Sequence, residues 1–253
     1  MKDIPSIDKL LNLSTNKGKA ETVVMIPIKE ISNFPNHPFK VENNAELQEM
    51  IESVKANGIT NPVLVRRKED GKYEMVSGHR RKLASEIAGL QTIPAIIRDL
   101  SREEATILMV DSNIQREKVL PSERAYAYKM KLDAIKNQGK RNDLTSPQLV
   151  SKLRSDEKVG ATNGDSRETV RRYIRLTELI KEILDMVDAG KVAFSPAVEI
   201  SYLNKDEQYV LYDYMKRFDA TPSQAQAILL KKLSQEGKLD TGKIEEIISE
   251  EKP

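Results

Sequence analysis

Pro62-Val63-Leu64-Val65-Arg66-Arg67-Lys68-Glu69-Asp70-Gly71-Lys72-Tyr73-Glu74-Met75-Val76-Ser77-Gly78-His79-Arg80-Arg81 decides the fold. Pro62 to Arg67 and Tyr73 to Ser77 are β-rich runs, and Glu69-Asp70-Gly71 between them supplies a turn in which glycine takes positive φ cheaply. A hairpin is predicted. The second run gives way to a helical pattern from about Arg80 to Ala88 with Gly89 as its C′ residue, followed by a strand over Thr92 to Ile97. Upstream, Val23 to Ile26 reads as a strand, and Ala45 to Ala56 as a helix whose Leu47, Met50, Ile51 and Val54 share one face. Asn57-Gly58 stops that helix. Residues 21 to 98 therefore form a compact α+β unit.

After Asp99 the pattern becomes all helical. Ser101-Arg102-Glu103-Glu104 is a capping box, each end side chain satisfying a backbone N–H of the first turn, and it opens a helix to about Ile114. Pro121 opens another to about Asn137, with a loop at Gly139 to Asp143. Further helices are predicted near 147 to 154, 166 to 176, 178 to 188, 196 to 203, 205 to 218, 222 to 235 and 242 to 250. Residues 1 to 20 read as a flexible basic tail, too polar to order themselves. No long coiled coil follows the last helix before Pro253, which predicts a chain truncated before any dimerisation domain.

Composition narrows the chemistry. The chain has 253 residues, no Cys, and two histidines, His37 and His79. Disulfides, thiol catalysis and His-built zinc centres are thereby excluded. Length points to two or three small domains. No stretch approaches eighteen apolar residues, and Met1-Lys2-Asp3-Ile4-Pro5 is no signal peptide, so a cytoplasmic protein without membrane contact is expected. Arg116 to Leu176 carries 15 Lys+Arg against 8 Asp+Glu, net +7, which leaves −5 for the rest of a chain totalling +2. A basic middle of this kind predicts a polyanionic partner.

Two segments carry candidate chemistry. Ser77-Gly78-His79-Arg80-Arg81 lies where a strand ends and a helix begins, where free backbone N–H groups and the helix dipole favour an anion. Taken alone, a glycine and two arginines at such a junction also fit a plain turn with solvated charge. Met109-Val110-Asp111-Ser112-Asn113-Ile114-Gln115-Arg116 closes the next helix with polar side chains that have no core role, although a frayed helix end would look the same.

The order of these segments resembles the ParB/RepB/Noc-type partition protein family, in particular the ParB-like proteins of Gram-positive mobile elements. That family carries an Ile-Pro opening, a Gln-Pro-Arg box, a helix ending in Gly-Ile/Val before a Pro-hydrophobic strand, then Gly-Glu-Arg-Arg, then Glu-Asn-x-Gln-Arg. The matching places here are Ile26-Pro27, His37-Pro38-Phe39, Asn57-Gly58-Ile59 with Pro62-Val63, Gly78-His79-Arg80-Arg81 and Ser112-Asn113-Ile114-Gln115-Arg116. The resemblance implies an α+β ParB/sulfiredoxin-like nucleotide-binding domain followed by an all-α helix-turn-helix DNA-binding domain. It further implies that CTP and Mg²⁺ are bound, with Gly58, Gly78, His79, Arg80, Arg81, Ser112, Asn113 and Arg116 around the nucleotide and Asn113 on the metal. Three positions depart from the pattern. Phe39 replaces an arginine, with Lys40 beside it as a point charge lacking the bidentate fork. His79 and Ser112 each replace a glutamate, and Asp111 points about 100° away from Ser112 on a helix. These departures favour nucleotide binding over hydrolysis, because a serine hydroxyl is no carboxylate base at neutral pH.

In the basic middle, Ser146-Pro147 reads as the start of a short helix, and Asp165-Ser166-Arg167-Glu168 as the start of a second. In that second helix Val170, Tyr173 and Ile174 fall on one side, with Glu168, Arg171, Arg172 and Arg175 opposite. A surface helix with solvated arginines shows the same division. Following a ParB-like domain it reads as a recognition helix, with Ser166, Arg167, Glu168, Arg171, Arg172 and Arg175 meeting DNA. The segment 155 to 164 is long for the turn of such a motif.

The domain boundaries that follow are 1–20 for the tail, 21–117 for the nucleotide-binding domain, 118–220 for the helix-turn-helix domain and 221–253 for a helical extension. By resemblance the chain is a CTP-dependent clamp of a DNA partition system that recognises a short palindromic double-stranded site. It would act as a homodimer, engage a ParA-type ATPase through its N-terminal tail, hydrolyse CTP weakly at most, and reside on the nucleoid or a plasmid. Alternatives are a nucleoid-occlusion or transcriptional regulator of the same family, or a small-molecule kinase on the same N-terminal fold. The arginine face of the second helix argues against the kinase.

Overall fold

The computed structural model describes residues 22–41, 43–116, 118–142, 159–160 and 164–249. The expected tail (1–20) and the expected first helix of the DNA-binding motif (147–154) lie outside the described residues. The chain divides into two compact units between Asn113 and Ile114.

In the first unit, β1 (Val23–Pro27), β2 (Ile31–Ser32), β3 (Val63–Arg67), β4 (Tyr73–Ser77) and β5 (Thr92–Arg98) form one mixed sheet in the order β1-β5-β3-β4-β2. β1 pairs antiparallel with β5, Val24 opposite Ala95, and β3 pairs parallel with β5, Val63 opposite Ala95. The β3–β4 hairpin is antiparallel, Val65 opposite Met75, and closes at Gly71 with φ 78°, as Asp-Gly predicts. Asp70 stiffens the tip by accepting from the Lys72 N–H at 3.0 Å. β2, only two residues long, has no periodicity to announce it and was not predicted.

Helix α1 (Ala45–Asn57) is capped by Asn44, whose side chain accepts from the Leu47 N–H, and α2 (His79–Ile87) follows β4 directly. Leu47, Ile51 and Val54 of α1 pack with Ala84 of α2, and Val63, Val65, Met75, Ile93 and Ala95 form the adjoining core of the sheet. Burying each such Leu, Ile or Val side chain contributes roughly 1.5–3 kcal/mol. Helix α3 (Arg102–Ile114) completes the unit, opened by the predicted capping box between Ser101 and Glu104.

The second unit is helical in all its described elements: α4 (Pro121–Asn142), α5 (Arg167–Arg175), α6 (Lys181–Asp188), α7 (Phe194–Ile200), α8 (Lys205–Arg217), α9 (Gln224–Gln235) and α10 (Thr241–Ser249). The predicted loop at Gly139 to Asp143 is corrected in part, since α4 continues through Asn142. One glycine costs a helix only about 1 kcal/mol relative to alanine, too little to end it. Leu176, Ile183, Ile200, Leu211 and Leu230, all essentially inaccessible, build the core. Gln208 is buried among them with both ends satisfied, accepting from the Ile180 N–H at 2.8 Å and donating to the carbonyls of Glu178 and Leu203.

Candidate nucleotide and nucleic-acid sites

The strand-to-helix junction is built on Gly78, which sits at φ 111°. A Cβ there would meet Val63 Cγ1 at 2.7 Å, so β3 and the dihedral both demand glycine. The close approach is thus to a neighbouring strand, a packing reason that the junction's sequence did not disclose. The first amides of α2 lack intrahelical acceptors and, with the helix dipole, form an anion-favouring end.

The cations of that first turn have structural ties. Arg80 donates to Glu46 Oε2 at 2.9 Å and to Asn44 Oδ1 at 3.4 Å, both at the start of α1, and its Nε is buried with no hydrogen-bond partner. Arg81 Nη1 donates to the carbonyls of Asn61 and Pro62 at 2.7 and 2.6 Å. Burial lowers its pKa without threatening its charge. Lys82, itself buried, donates to Asn33 Oδ1 at 2.9 Å. His79 lies in ring contact with His37 at 3.8 Å between centroids, and His37 meets the edge of the buried Phe39 at 5.7 Å. The two segments quoted as His37-Pro38-Phe39 and Gly78-His79-Arg80-Arg81 therefore come together in space. Gly58, at φ 69°, ends α1 before the loop that Arg81 holds.

Ser112 and Asn113 close α3 and bond to their own helix. Ser112 Oγ donates to the Met109 carbonyl at 3.0 Å, and Asn113 Nδ2 donates to the same carbonyl at 2.7 Å. Asn113 is buried, at 4% exposure. Its amide nitrogen is thereby committed to the helix backbone, and Oδ1 is the atom that could serve a metal. A nucleotide-borne Mg²⁺ keeps several waters and asks the protein for one or two carboxylates. Gly78 to Lys82 offers none, Ser112 offers a hydroxyl, and Asp111 has a partner of its own. Among the described residues no three His, Cys, Asp or Glu side chains cluster as metal ligands. The neutral oxygens of Ser112 and Asn113, with the nucleotide's own phosphates, are what a magnesium ion would meet here. Arg116 is exposed in the turn beyond α3, within the second unit.

In the second unit Ser166 caps α5, accepting from the Thr169 N–H at 3.1 Å, and Val170 is buried as predicted. The arginine face divides in two. Arg172 Nη2 donates to Ser195 Oγ at 2.7 Å and its guanidinium lies 5.0 Å from the Phe194 ring centre. Arg175 Nε donates to Ser201 Oγ at 3.2 Å and its guanidinium lies 4.0 Å from the Tyr202 ring centre. These two arginines brace α5 against the start and end of α7. Arg171 and Glu168 are exposed, with Arg167 half-buried beside them. Sequence periodicity placed Arg171, Arg172 and Arg175 outside the apolar stripe but gave no sign of Ser195, Ser201 and Tyr202 as partners, because these come from α7 and the residues that follow it.

A family model described as the ParB N-terminal domain matches residues 12–114. The chromosome-partitioning protein ParB of Myxococcus xanthus is 33% identical over 189 residues, covering 73% of this chain and 58% of that protein. The stage 0 sporulation protein J of Bacillus subtilis is 35% identical over 173 residues, 68% of this chain and 55% of that one. The chain belongs to the ParB-type partition protein family. It spans less than two thirds of the length of these relatives. Among solved structures, the pNOB8-like ParB N-domain superposes with a TM-score of 0.51 at 14% identity, covering 93% of this chain and 98% of that one, a likeness of fold. No helix among the described residues is long and apolar enough to cross a membrane.

Proposed function

We propose that the chain is the DNA-binding component of a DNA partition system, recognising a short palindromic duplex site as a CTP-dependent clamp. The observation that carries this reading is membership of the family together with the split arginine face of α5. Arg172 and Arg175 fix the helix on its scaffold, which leaves Ser166, Arg167, Glu168 and Arg171 as the outward residues of its first two turns. A helix that enters the major groove contacts bases with these N-terminal positions, and arginine there reads guanine edges or phosphate.

The nucleotide reading rests on the α2 end, where glycine, free amides, Arg80 and Arg81 converge within the family's Gly-x-Arg-Arg pattern. CTP bound there would select one of two arrangements of the clamp, and by linkage DNA and CTP must each strengthen the other. Hydrolysis is slow in this reading, since Ser112 stands at the carboxylate position and its hydroxyl donates to Met109. A homodimer and a ParA-type ATPase partner belong to the same proposal.

The test is fluorescence anisotropy of labelled duplexes carrying a panel of palindromes, titrated with the protein in the presence of each nucleoside triphosphate. One palindrome bound far above random duplex, with CTP alone altering that binding, supports the function. Equal binding of all sequences, with no nucleotide effect, rejects it.

A further inference from the structure

Glu74 of β4 neighbours Met75, whose side chain lies in the core of the sheet, so by strand alternation its carboxylate projects from the opposite face. It is 2% exposed. Oε2 accepts from Nε of Arg66, its cross-strand partner on β3, at 2.7 Å, and Oε1 accepts from Nη1 of Arg102, the first residue of α3, at 2.8 Å. Each carboxylate oxygen is thus held by a guanidinium. The Arg102 guanidinium in turn lies 4.4 Å from the ring centre of Phe34, itself 2% exposed. Asn33, the residue before, accepts from Lys82 of α2 at 2.9 Å.

A buried ion pair is weak evidence for stability, because desolvation of the charges offsets their attraction and apolar side chains of similar volume often serve as well. What it adds here is geometry, since a guanidinium fixes direction as well as charge. Arg66 and Glu74 stand directly opposite on paired strands, so backbone pairing already sets their distance. The bond to Arg102 is the new constraint. It fixes the start of α3 on the sheet, and the face of the same guanidinium covers Phe34. Residues 33 and 34 are thereby gripped from two sides, by Lys82 of α2 and by Arg102 of α3. Three residues beyond Phe34, His37 meets the ring of His79, the first residue of α2, at 3.8 Å between centroids. The loop against the anion-favouring end of α2 and the helix that carries Ser112 and Asn113 therefore share one anchor.

Building on the nucleotide reading above, we propose that Glu74 is a positioning residue for the nucleotide: through Arg102 it sets the 33–40 loop and α3 at one spacing about the end of α2, without touching the ligand. Arg102 transmits the effect, because one guanidinium both bonds Glu74 and covers Phe34. With that link cut, the loop has to be ordered at the moment of binding, and affinity falls by the cost of ordering it.

The experiment is calorimetric titration of the full chain with CTP in magnesium, run beside thermal unfolding of each variant. Glu74→Gln turns an amide donor toward guanidinium groups that can only donate, and Arg102→Ala removes the transmitting group. Ile93→Ala, which opens a cavity in the sheet core away from the network, is the control for lost stability. Glu74→Gln and Arg102→Ala should each lose about tenfold in CTP affinity, with no larger loss when combined. Arg102→Lys keeps a cation for Phe34 and a donor for Glu74, and should recover most of the affinity. Ile93→Ala should bind CTP within about twofold of the unaltered chain although it unfolds at a lower temperature. Losses that add in the double variant, or an affinity that follows the unfolding temperature across all variants, overturn the inference and leave the nucleotide site standing. Unchanged affinity in Arg102→Ala does the same, and that variant, altered at a side chain 41% exposed, decides the matter even if Glu74→Gln fails to fold. Absence of CTP binding by the unaltered chain overturns the nucleotide reading itself.

Discussion

Arg175 of α5 lies over the ring of Tyr202 at 4.0 Å, and Lys231 of α9 lies over the same ring at 3.9 Å. Tyr202 is thus clamped between two cations, one of them on the helix read as meeting DNA, and Arg175 also donates to the Ser201 carbonyl. Arg175→Ala is expected to destabilise the second unit by roughly 1–3 kcal/mol, through loss of a charge-assisted hydrogen bond and a cation–π contact. Denaturant unfolding measures it. A change below about 0.5 kcal/mol, the ordinary range for surface substitutions, would show that the arginine is not structural.

Arg171→Ala should behave in the opposite manner. Its stability effect is expected within about 0.5 kcal/mol, since the side chain is exposed, while specific DNA binding weakens by roughly 1–3 kcal/mol if it reads a base edge. Binding measured against salt separates two contacts: a lost phosphate contact weakens all sequences alike and reduces the salt slope by about one, whereas a lost base contact erodes the preference for one site. Unchanged DNA binding would move the contact surface away from this face of α5.

Gly78→Ala tests how the nucleotide end of α2 is built. The added methyl meets Val63 at 2.7 Å and the residue must hold φ 111°, so a destabilisation of roughly 1–3 kcal/mol from backbone strain alone is expected, with the clash added to it. Combining it with Val63→Ala should recover the steric part and leave the strain, read as a non-additive cycle in denaturant unfolding. Strict additivity would mean that the methyl finds room by another route.

The hairpin, α1, the Ser101 capping box and the run from α6 to α10 were legible in the sequence because each is local: a turn dipeptide, a 3.6-residue stripe, a cap three residues from its partner. What escaped depends on distant residues. β2 exists only through pairing of Ile31 with Tyr73, and the ties of Arg172 and Arg175 depend on where α7 docks. At the anion-favouring end the segments were found, but resemblance gave His79 a glutamate's place without showing that His37 is its neighbour, and it gave Asn113 a role without showing that its amide nitrogen is held by the Met109 carbonyl.

Asp240 carries a pH prediction for the final helix. Its carboxylate accepts from the Lys243 N–H at 2.9 Å at the start of α10, and that backbone bond, ahead of the Lys243 side chain, holds its pKa below the usual carboxylate value. A depressed folded-state pKa contributes stability above the unfolded-state value near 3.9 that is lost as pH falls through the folded one. Docking of Ile244, Ile247 and Ile248 should therefore weaken as pH falls through the folded-state value. Hydrogen exchange of α10 amides at neutral and acid pH reads this, and Asp240→Asn should flatten the difference. An unchanged acid response in that variant would assign the effect to another group.

Arg80 of α2 and Glu46 of α1 form an ion pair at the anion-favouring end of α2. The guanidinium donates to Glu46 Oε2 at 2.9 Å, although the carboxylate is 73% exposed. Exposed ion pairs are worth about 0–1 kcal/mol, so Glu46 can be displaced by a phosphate oxygen at small cost. If the carboxylate competes with phosphate for the same donors, Glu46→Gln should tighten CTP binding by up to about fivefold, the rate at which 1 kcal/mol converts to affinity. Arg80→Ala should weaken it by more, because a charge-assisted bond to phosphate is worth roughly 1.5–3 kcal/mol. Calorimetric titration of the two variants beside the unaltered chain measures both changes. Weaker binding in Glu46→Gln would instead make Glu46 the group that aims Arg80 at the phosphates, and the same ion pair would then be part of the site and not its competitor.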